Sequence, residues 1–388
     1  MGSVNPLSRL LTLPDSEKEH RGLLYTPAEI AQQPASWLTT HRLFEESRRG
    51  LTDFLGQPHT DGWTVYLIGA GTSDYVGHSI AHLLRRRWKC EVFVVASTDL
   101  LTNRDDLVIP GRNYLWISFS RSGDSPEGVA VLEQALASTP EIRHLVVSCN
   151  KDGQMIKLAH ANRNCFPMLL DDAVNDRSLA MTSSFTNMVV FGQHLAHLWD
   201  TDSFEKTLKC MTRAADYVLS EGAELAYSLA QQKYRRACFV GAGSLAAVAR
   251  ESALKMLELT GGGVQTMYET TLGLRHGPLS SLNSETLFTG FVSGDAKRRK
   301  YDSDLLAEIR AKKAARTIVS VGGTDPASDY SLYSSAFDNL ADAYRPAVDV
   351  IFGQMLGLFS SIELGLKPDS PSPNGLINRV VEKFAIYI

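Results

Sequence analysis

The chain has 388 residues, of which 44% are hydrophobic and 21% charged. That supplies enough apolar side chain for two domains with separate cores, in the ordinary composition of a globular protein. A formal net charge of −4, from 39 basic and 43 acidic residues, leaves no cationic footprint for nucleic acid or an anionic membrane surface.

The five cysteines, Cys90, Cys149, Cys165, Cys210 and Cys238, stand singly with no C-x-x-C pair. They read as free thiols of a reducing compartment. With no basic-then-apolar leader, a cytoplasmic location is expected. The longest apolar region, 346–366, carries Asp349 and Glu363 and therefore reads as a core helix, not a membrane span.

Residues 1–22 are polar and punctuated by Pro6 and Pro14, the pattern of a mobile arm. Thr26-Pro27-Ala28-Glu29 has the form of a helix start, with Thr26 as cap and Pro27 in the first turn. Helices are expected over 28–33 and 34–55. From Trp63 onward, apolar runs at 65–69, 91–96, 114–119 and 144–149 alternate with helical stretches such as 74–87. The alternation predicts an α/β fold with a parallel sheet covered on both faces.

The same opening recurs. Phe239-Val240-Gly241-Ala242-Gly243-Ser244 echoes Leu67-Ile68-Gly69-Ala70-Gly71-Thr72, an offset of 172 residues (239 against 67). Further strands are expected at 286–292 and 315–321, after a long helix over 203–232. Two α/β domains from an internal duplication follow. The expected partition is an arm with helices over 1–55, a first domain over 56–215, and a second domain with a C-terminal tail over 216–388. Gly69–Ser73 falls short of a dinucleotide fingerprint, because Asp74 stands where the third glycine would open the helix. A plain strand-to-helix turn is the simpler reading.

One loop carries chemistry on its face. Ile117–Glu127, ISFSRSGDSPE, follows an apolar strand and enters an amphipathic helix over 127–136. Ser120, Ser122 and Ser125 surround Gly123 at a helix N-terminus, where the dipole and free N–H groups attract an anion. No Walker lysine is present, so a small sugar phosphate fits better than a nucleoside triphosphate. The second copy has Ser293-Gly294-Asp295 followed by Lys297-Arg298-Arg299-Lys300 and lacks the serine-rich loop, so one phosphate site is expected, not two.

Glu251, Lys255 and Glu258 recur at i, i+4 and i+7, on one face of a helix. On spacing alone, a solvated face with a stabilising Glu–Lys pair is the simpler reading. Arg275-His276-Gly277-Pro278 places a histidine in a rigid turn, where it is either a surface residue or an acid/base imidazole. His78 with His82, and His194 with His197, have helical spacing without partners in a recognised metal pattern, so no metal and no cofactor is expected.

These motifs together resemble the tandem sugar-isomerase (SIS) domain family. The features are GAGTS at 69–73, SFSRSGDSPE at 118–127, TSSFT at 182–186, ESALKMLELT at 251–260 and RHGP at 275–278, and they span most of 63–388. The isomerase half of glucosamine-6-phosphate synthase is similar. The resemblance implies that Thr72, Ser73, Ser120, Ser122 and Ser125 bind a substrate phosphate, and that Thr182 and Ser183 line the sugar pocket. It implies that Glu258 moves the substrate proton and His276 opens the ring, with Glu251, Lys255 and Arg275 in support. The family's shared H-G-P loop implies a homodimer or larger homo-oligomer.

The departures narrow the activity. The synthase has an N-terminal glutaminase with a cysteine nucleophile, whereas this chain begins Met1-Gly2-Ser3 and has no cysteine before Cys90. The synthase has a tail lysine that reaches substrate, whereas Asn378-Arg379 stand near that position here, and Arg379 forms no Schiff base at neutral pH. The 25–40 segment, YTPAEIAQQPASWLTT, resembles the leader of the galactosamine-6-phosphate deaminase/isomerase family, also described as tagatose-6-phosphate ketose/aldose isomerase. The expected reaction is galactosamine 6-phosphate plus water to tagatose 6-phosphate plus ammonia. The alternatives are a glucosamine-6-phosphate deaminase, a plain tagatose-6-phosphate isomerase, and a non-catalytic sugar-phosphate regulator.

Overall fold

The computed structural model describes residues 5–57, 62–200, 204–372 and 375–387. The chain divides into two compact units that are discontinuous in sequence. One comprises Ser36–Asp176, Ser183–Glu205 and Ile377–Ile388, and the other Met1–Ala35, Arg177–Thr182 and Lys206–Leu376.

The first unit contains strands β1 (Thr64–Gly69), β2 (Glu91–Ala96), β3 (Tyr114–Ser120), β4 (Arg143–Ser148) and β5 (Cys165–Leu169). They pair in the order β2-β1-β3-β4-β5, all parallel. Every residue of β1 and β3 is buried, as befits central strands covered on both faces. The second unit contains β6 (Arg236–Gly241), β7 (Gln265–Thr270), β8 (Thr286–Phe291), β9 (Thr317–Val321) and β10 (Tyr330–Leu332), ordered β7-β6-β8-β9-β10 and again parallel. Counted within each copy, both sheets run 2-1-3-4-5. The duplication read from two short motifs therefore extends to the whole topology.

It extends to the backbone as well. Gly71 has φ 56°, ψ −127°, and Gly243 has φ 59°, ψ −127°. The residue two places earlier needs glycine for space. A Cβ on Gly69 would stand 2.3 Å from the Ser73 carbonyl carbon, and one on Gly241 would stand 2.4 Å from the Leu245 oxygen. Each turn thus folds the chain from a central strand straight into its helix, Thr72–Trp88 in one copy and Ser244–Leu259 in the other.

Helix Pro346–Glu363 is buried from Pro346 to Ser361, so the apolar 346–366 region is a core helix. Two glycines let it approach helix Ser244–Leu259 closely. A Cβ on Gly353 would meet Ser252 Oγ at 2.3 Å, and one on Gly357 would meet the Lys255 backbone oxygen at 3.1 Å. Among the described residues, no helix is long and apolar enough to cross a membrane.

Two expectations need correction, and three strands lie outside those expected. Residues 5–22 are not a mobile arm: they form helices Pro6–Leu11 and Asp15–Arg21, with Leu7 and Leu10 buried. That i, i+3 pair was hidden among polar neighbours. Thr26 does not cap its helix through its side chain; its N–H and hydroxyl both donate to Asp369 Oδ1, each at 2.8 Å. Strands β5, β7 and β10 are not among those expected, and of these β5 alone has an apolar run, broken by a proline. β5 contains Pro167, tolerated at a sheet edge; β7 is a half-exposed edge strand; and β10 spans only three residues.

Candidate active site

In a parallel sheet of order 2-1-3-4-5, the chain leaves β1 and β3 in opposite directions. The loops beyond their C-terminal ends open a crevice suited to a ligand. Here those loops are Gly69–Ser73 and Ser120–Ser125, because β1 and β3 are paired neighbours. The serine-rich loop and the glycine turn thus stand at the same sheet edge. Thr72, Ser73, Ser120 and Ser122 are buried, and Ser125 is half-buried.

The loop is braced from within. Gly123, with φ 67°, donates its N–H to Ser120 Oγ at 2.9 Å and accepts from Met155 N at 2.9 Å. Asn150 Nδ2 donates to the Ser122 carbonyl at 2.8 Å, and Gln154 N donates to Asp124 Oδ1 at 2.9 Å. Ser125 is the N-cap residue of helix Pro126–Ser138, yet its side chain caps no N–H group. A serine at that place ordinarily satisfies the second or third N–H of its helix. Left undone, the hydroxyl and the helix N-terminus can both serve an oxyanion.

Two residues outside the expected set complete this loop cluster. Arg121 is buried within the loop and donates to the backbone oxygen of Arg379 in the C-terminal tail. Asp176 is buried and accepts from Ser183 N and Oγ at 3.2 and 2.5 Å, and from Ser184 N and Oγ at 2.8 and 2.5 Å. It therefore caps helix Ser183–Leu195. Arg379 spans the two, donating through Nε to the Asp176 carbonyl at 2.6 Å and through Nη2 to Asn175 Oδ1 at 2.6 Å. Nothing in the residue types marked Asp176, whose role depends on a helix starting seven residues later. Thr182 and Ser183 are both fully buried, and the Thr182 carbonyl accepts from Gln354 Nε2 at 3.4 Å.

The second set of residues lies on helix Ser244–Leu259. Lys255 and Glu251 are fully buried, and Glu258 retains 22% side-chain exposure. Lys255 Nζ stands 3.2 Å from Glu251 Oε1 and 2.5 Å from Glu258 Oε2. This overturns the solvated-face reading. Burial alone would push the Lys255 ammonium down, but the two carboxylates outweigh it and hold the pKa above its ordinary value. The lysine stays charged and anchors Glu258, the one member of the row open to a ligand.

His276 is exposed at the end of a short 3₁₀ turn, Gly273–Arg275, and Gly277 after it takes φ 119°. Arg275 does not pair with His276. Its Nε donates to Glu308 Oε2 at 2.7 Å and ties the turn to helix Ala296–Ala311.

One trio has metal-ligating side chains. His41, Glu45 and His194 bring ligand atoms within 4.8 Å of one another. The site suits a metal poorly, because a cation is already there. Arg48 donates to both Glu45 oxygens, at 2.9 and 2.7 Å, and lies 3.3 Å from His194 Nε2. The two imidazoles are stacked at 4.8 Å.

Comparison with known proteins places this geometry. No protein-family model matches the chain. The D-galactosamine-6-phosphate deaminase AgaS of Escherichia coli is 34% identical over 374 residues, covering 94% of this chain and 95% of the relative. This chain belongs to the galactosamine-6-phosphate deaminase AgaS family. The crystal structure of tagatose-6-phosphate ketose/aldose isomerase from Escherichia coli superposes with a TM-score of 0.80 at 32% identity, covering 91% of this chain and 95% of that one. The C-terminal domain of glucosamine-fructose-6-phosphate aminotransferase from Francisella tularensis shares the fold, with a TM-score of 0.74 at 18% identity, covering 89% of this chain and 98% of that one. This chain thus has the duplicated α/β fold expected from the motifs.

Proposed function

We propose that this protein converts galactosamine 6-phosphate and water to tagatose 6-phosphate and ammonia. The observation that carries the reading is the Glu251–Lys255–Glu258 row. A fully buried ammonium fixes a partly exposed carboxylate, as proton transfer at carbon requires. Membership of a family whose E. coli member is named for this deamination supplies the substrate class.

In this reading Thr72, Ser73, Ser120, Ser122 and Ser125 hold the 6-phosphate, and Thr182 and Ser183 line the sugar pocket. His276 opens the ring by moving a proton between the ring oxygen and the C1 hydroxyl, with Arg275 steadying its turn. Glu258 removes the C2 proton of the open aldehyde, giving an enolamine, and returns a proton to C1. The resulting C2 imine adds water, ammonia leaves, and the C2 ketone remains. The steps need no redox partner. General acid–base help of this kind contributes about 10²–10⁴-fold per group. Arg379 keeps the tail against the loop that starts helix Ser183–Leu195.

Two finer elements belong to the same proposal. The first repeat runs over 56–215 and the second, with the C-terminal tail, over 216–388, and the protein acts in the cytoplasm as a homodimer or larger homo-oligomer. The exposed apolar side chains of Tyr268, on the edge strand β7, and of Leu272, just after it, support the second point. Ammonia release from galactosamine 6-phosphate and glucosamine 6-phosphate, assayed side by side, tests the substrate. Faster release from the galacto sugar is expected. Preference for the gluco sugar would keep the chemistry and overturn the substrate, and tagatose 6-phosphate turnover without ammonia would favour a plain isomerase.

A further inference from the structure

The duplicated fold has a second switch point, formed by the loops after β6 and β8. The loop after β8 carries Ser293-Gly294-Asp295, the same tripeptide as Ser122-Gly123-Asp124 after β3. The local geometry repeats too: Asp295 N donates to Ser293 Oγ at 3.1 Å, as Asp124 N does to Ser122 Oγ at 3.2 Å. What differs is the occupant.

The side chain of Asp342, 7% exposed, lies in the second loop. Its Oδ2 accepts from Ser293 Oγ at 2.5 Å and its Oδ1 accepts from Gly294 N at 2.8 Å. Arg298 Nε stands 3.3 Å from Oδ2, and Arg345 Nη1 stands 3.5 Å from Oδ1. A backbone N–H, a buried hydroxyl and two guanidinium groups are the donors that a phosphate takes. The neighbouring helix, Ala296–Ala311, is satisfied in the same way. Asp295 Oδ1 accepts from Lys297 N and Arg298 N at 3.1 and 3.0 Å, whereas Ser125 at the matching helix of the first copy caps nothing.

We propose that the second repeat keeps an oxyanion site filled by the chain's own carboxylate, Asp342, and that removing this carboxylate opens a site for inorganic phosphate or a phosphate monoester. The site would survive vacancy because its donors are held independently. Arg345 also donates to the Val292 carbonyl and to Asp349 Oδ2, each at 2.6 Å, and Ser293 N donates to Asp302 Oδ2 at 2.9 Å. The duplicated fold thus presents one open anion loop and one closed from within.

The test is inorganic phosphate binding by titration calorimetry on the full chain, in a Ser122→Ala parent that weakens the first loop. Asp342→Ala in that parent is expected to gain one saturable phosphate site per chain. Adding Arg298→Ala should weaken that site about tenfold, the loss of one charge-assisted contact. Asp342→Ser is read in the same way. If either variant is unfolded without phosphate, phosphate should restore its fold. Variants that neither gain a phosphate site nor are rescued by phosphate would overturn the proposal. A Ser122→Ala parent that binds phosphate as the native chain does would instead count against the first loop, while its difference from the Asp342 variants still decides this point.

Discussion

Lys255 and Glu258 form an ion pair, 2.5 Å from Nζ to Oε2, in which the lysine is fully buried and the glutamate reaches solvent. One turn of helix separates a charge that belongs to the core from a carboxylate that can meet a ligand. Glu251, buried on the other side of Nζ at 3.2 Å, makes the arrangement tolerable by balancing the ammonium. Glu258→Gln keeps the shape and removes the base. Turnover is expected to fall about 10²–10⁴-fold with little change in sugar-phosphate affinity. Steady-state kinetics beside a binding titration check both parts.

The same row predicts a stability effect separable from activity. Lys255→Met removes the ammonium that balances the buried Glu251 carboxylate and should cost about 3–5 kcal/mol in denaturant unfolding. Adding Glu251→Gln should recover much of that loss while leaving the enzyme impaired. Recovery of stability together with full activity would mean that the lysine matters only for folding.

The loop around Gly123 is expected to act on binding. Ser122→Ala removes one hydroxyl at the switch point of the first sheet. A hydrogen bond to a charged group contributes about 1.5–3 kcal/mol, so KM should rise roughly ten- to hundredfold with kcat little changed. Kinetics over a range of substrate concentrations separate the two constants.

Gly69 sits where a side chain would strike the backbone of Ser73. Gly69→Ala must push the start of helix Thr72–Trp88 away from β1, and should cost about 1–3 kcal/mol or more. Because Thr72 and Ser73 move with that helix start, inorganic phosphate should also protect the variant less against thermal unfolding than it protects the native chain.

His144 links stability to pH. It is buried in β4 with its ring edge-on to Trp116, and burial pushes its pKa down to about 4. The folded state holds the neutral imidazole, so its contribution is intact above the ordinary histidine pKa near 6.5 and is lost as pH falls through about 4. Over that window the native chain should lose about 3 kcal/mol that His144→Leu does not lose. Urea unfolding of both proteins at pH 7 and pH 4.5 measures the difference.

How far the sequence could be read depended on how local each cause was. The glycine turns at 69–71 and 241–243 and the Ser122-Gly123-Asp124 loop announce themselves, because only a few adjacent residues produce their geometry. The α/β alternation was legible for the same reason, since buried parallel strands are short apolar runs. What escaped depends on distant partners. Burial of Lys255 needs the glycines of helix Pro346–Glu363, about a hundred residues later, and spacing alone pointed to a solvated face. Thr26 looks like a cap, but it is claimed by Asp369. Asp176 and Asp342 are ordinary acids in sequence and become a helix cap and a loop occupant only through residues the chain places beside them.

The most direct measurement follows the proton that Glu258 is held to move. Galactosamine 6-phosphate is turned over in D₂O, and the tagatose 6-phosphate is examined by NMR for deuterium at C1. The account predicts deuterium at C1 with the native enzyme and neither exchange nor ammonia at a comparable rate with Glu258→Gln. Deuterium incorporation and ammonia release at the native rate in Glu258→Gln would contradict it.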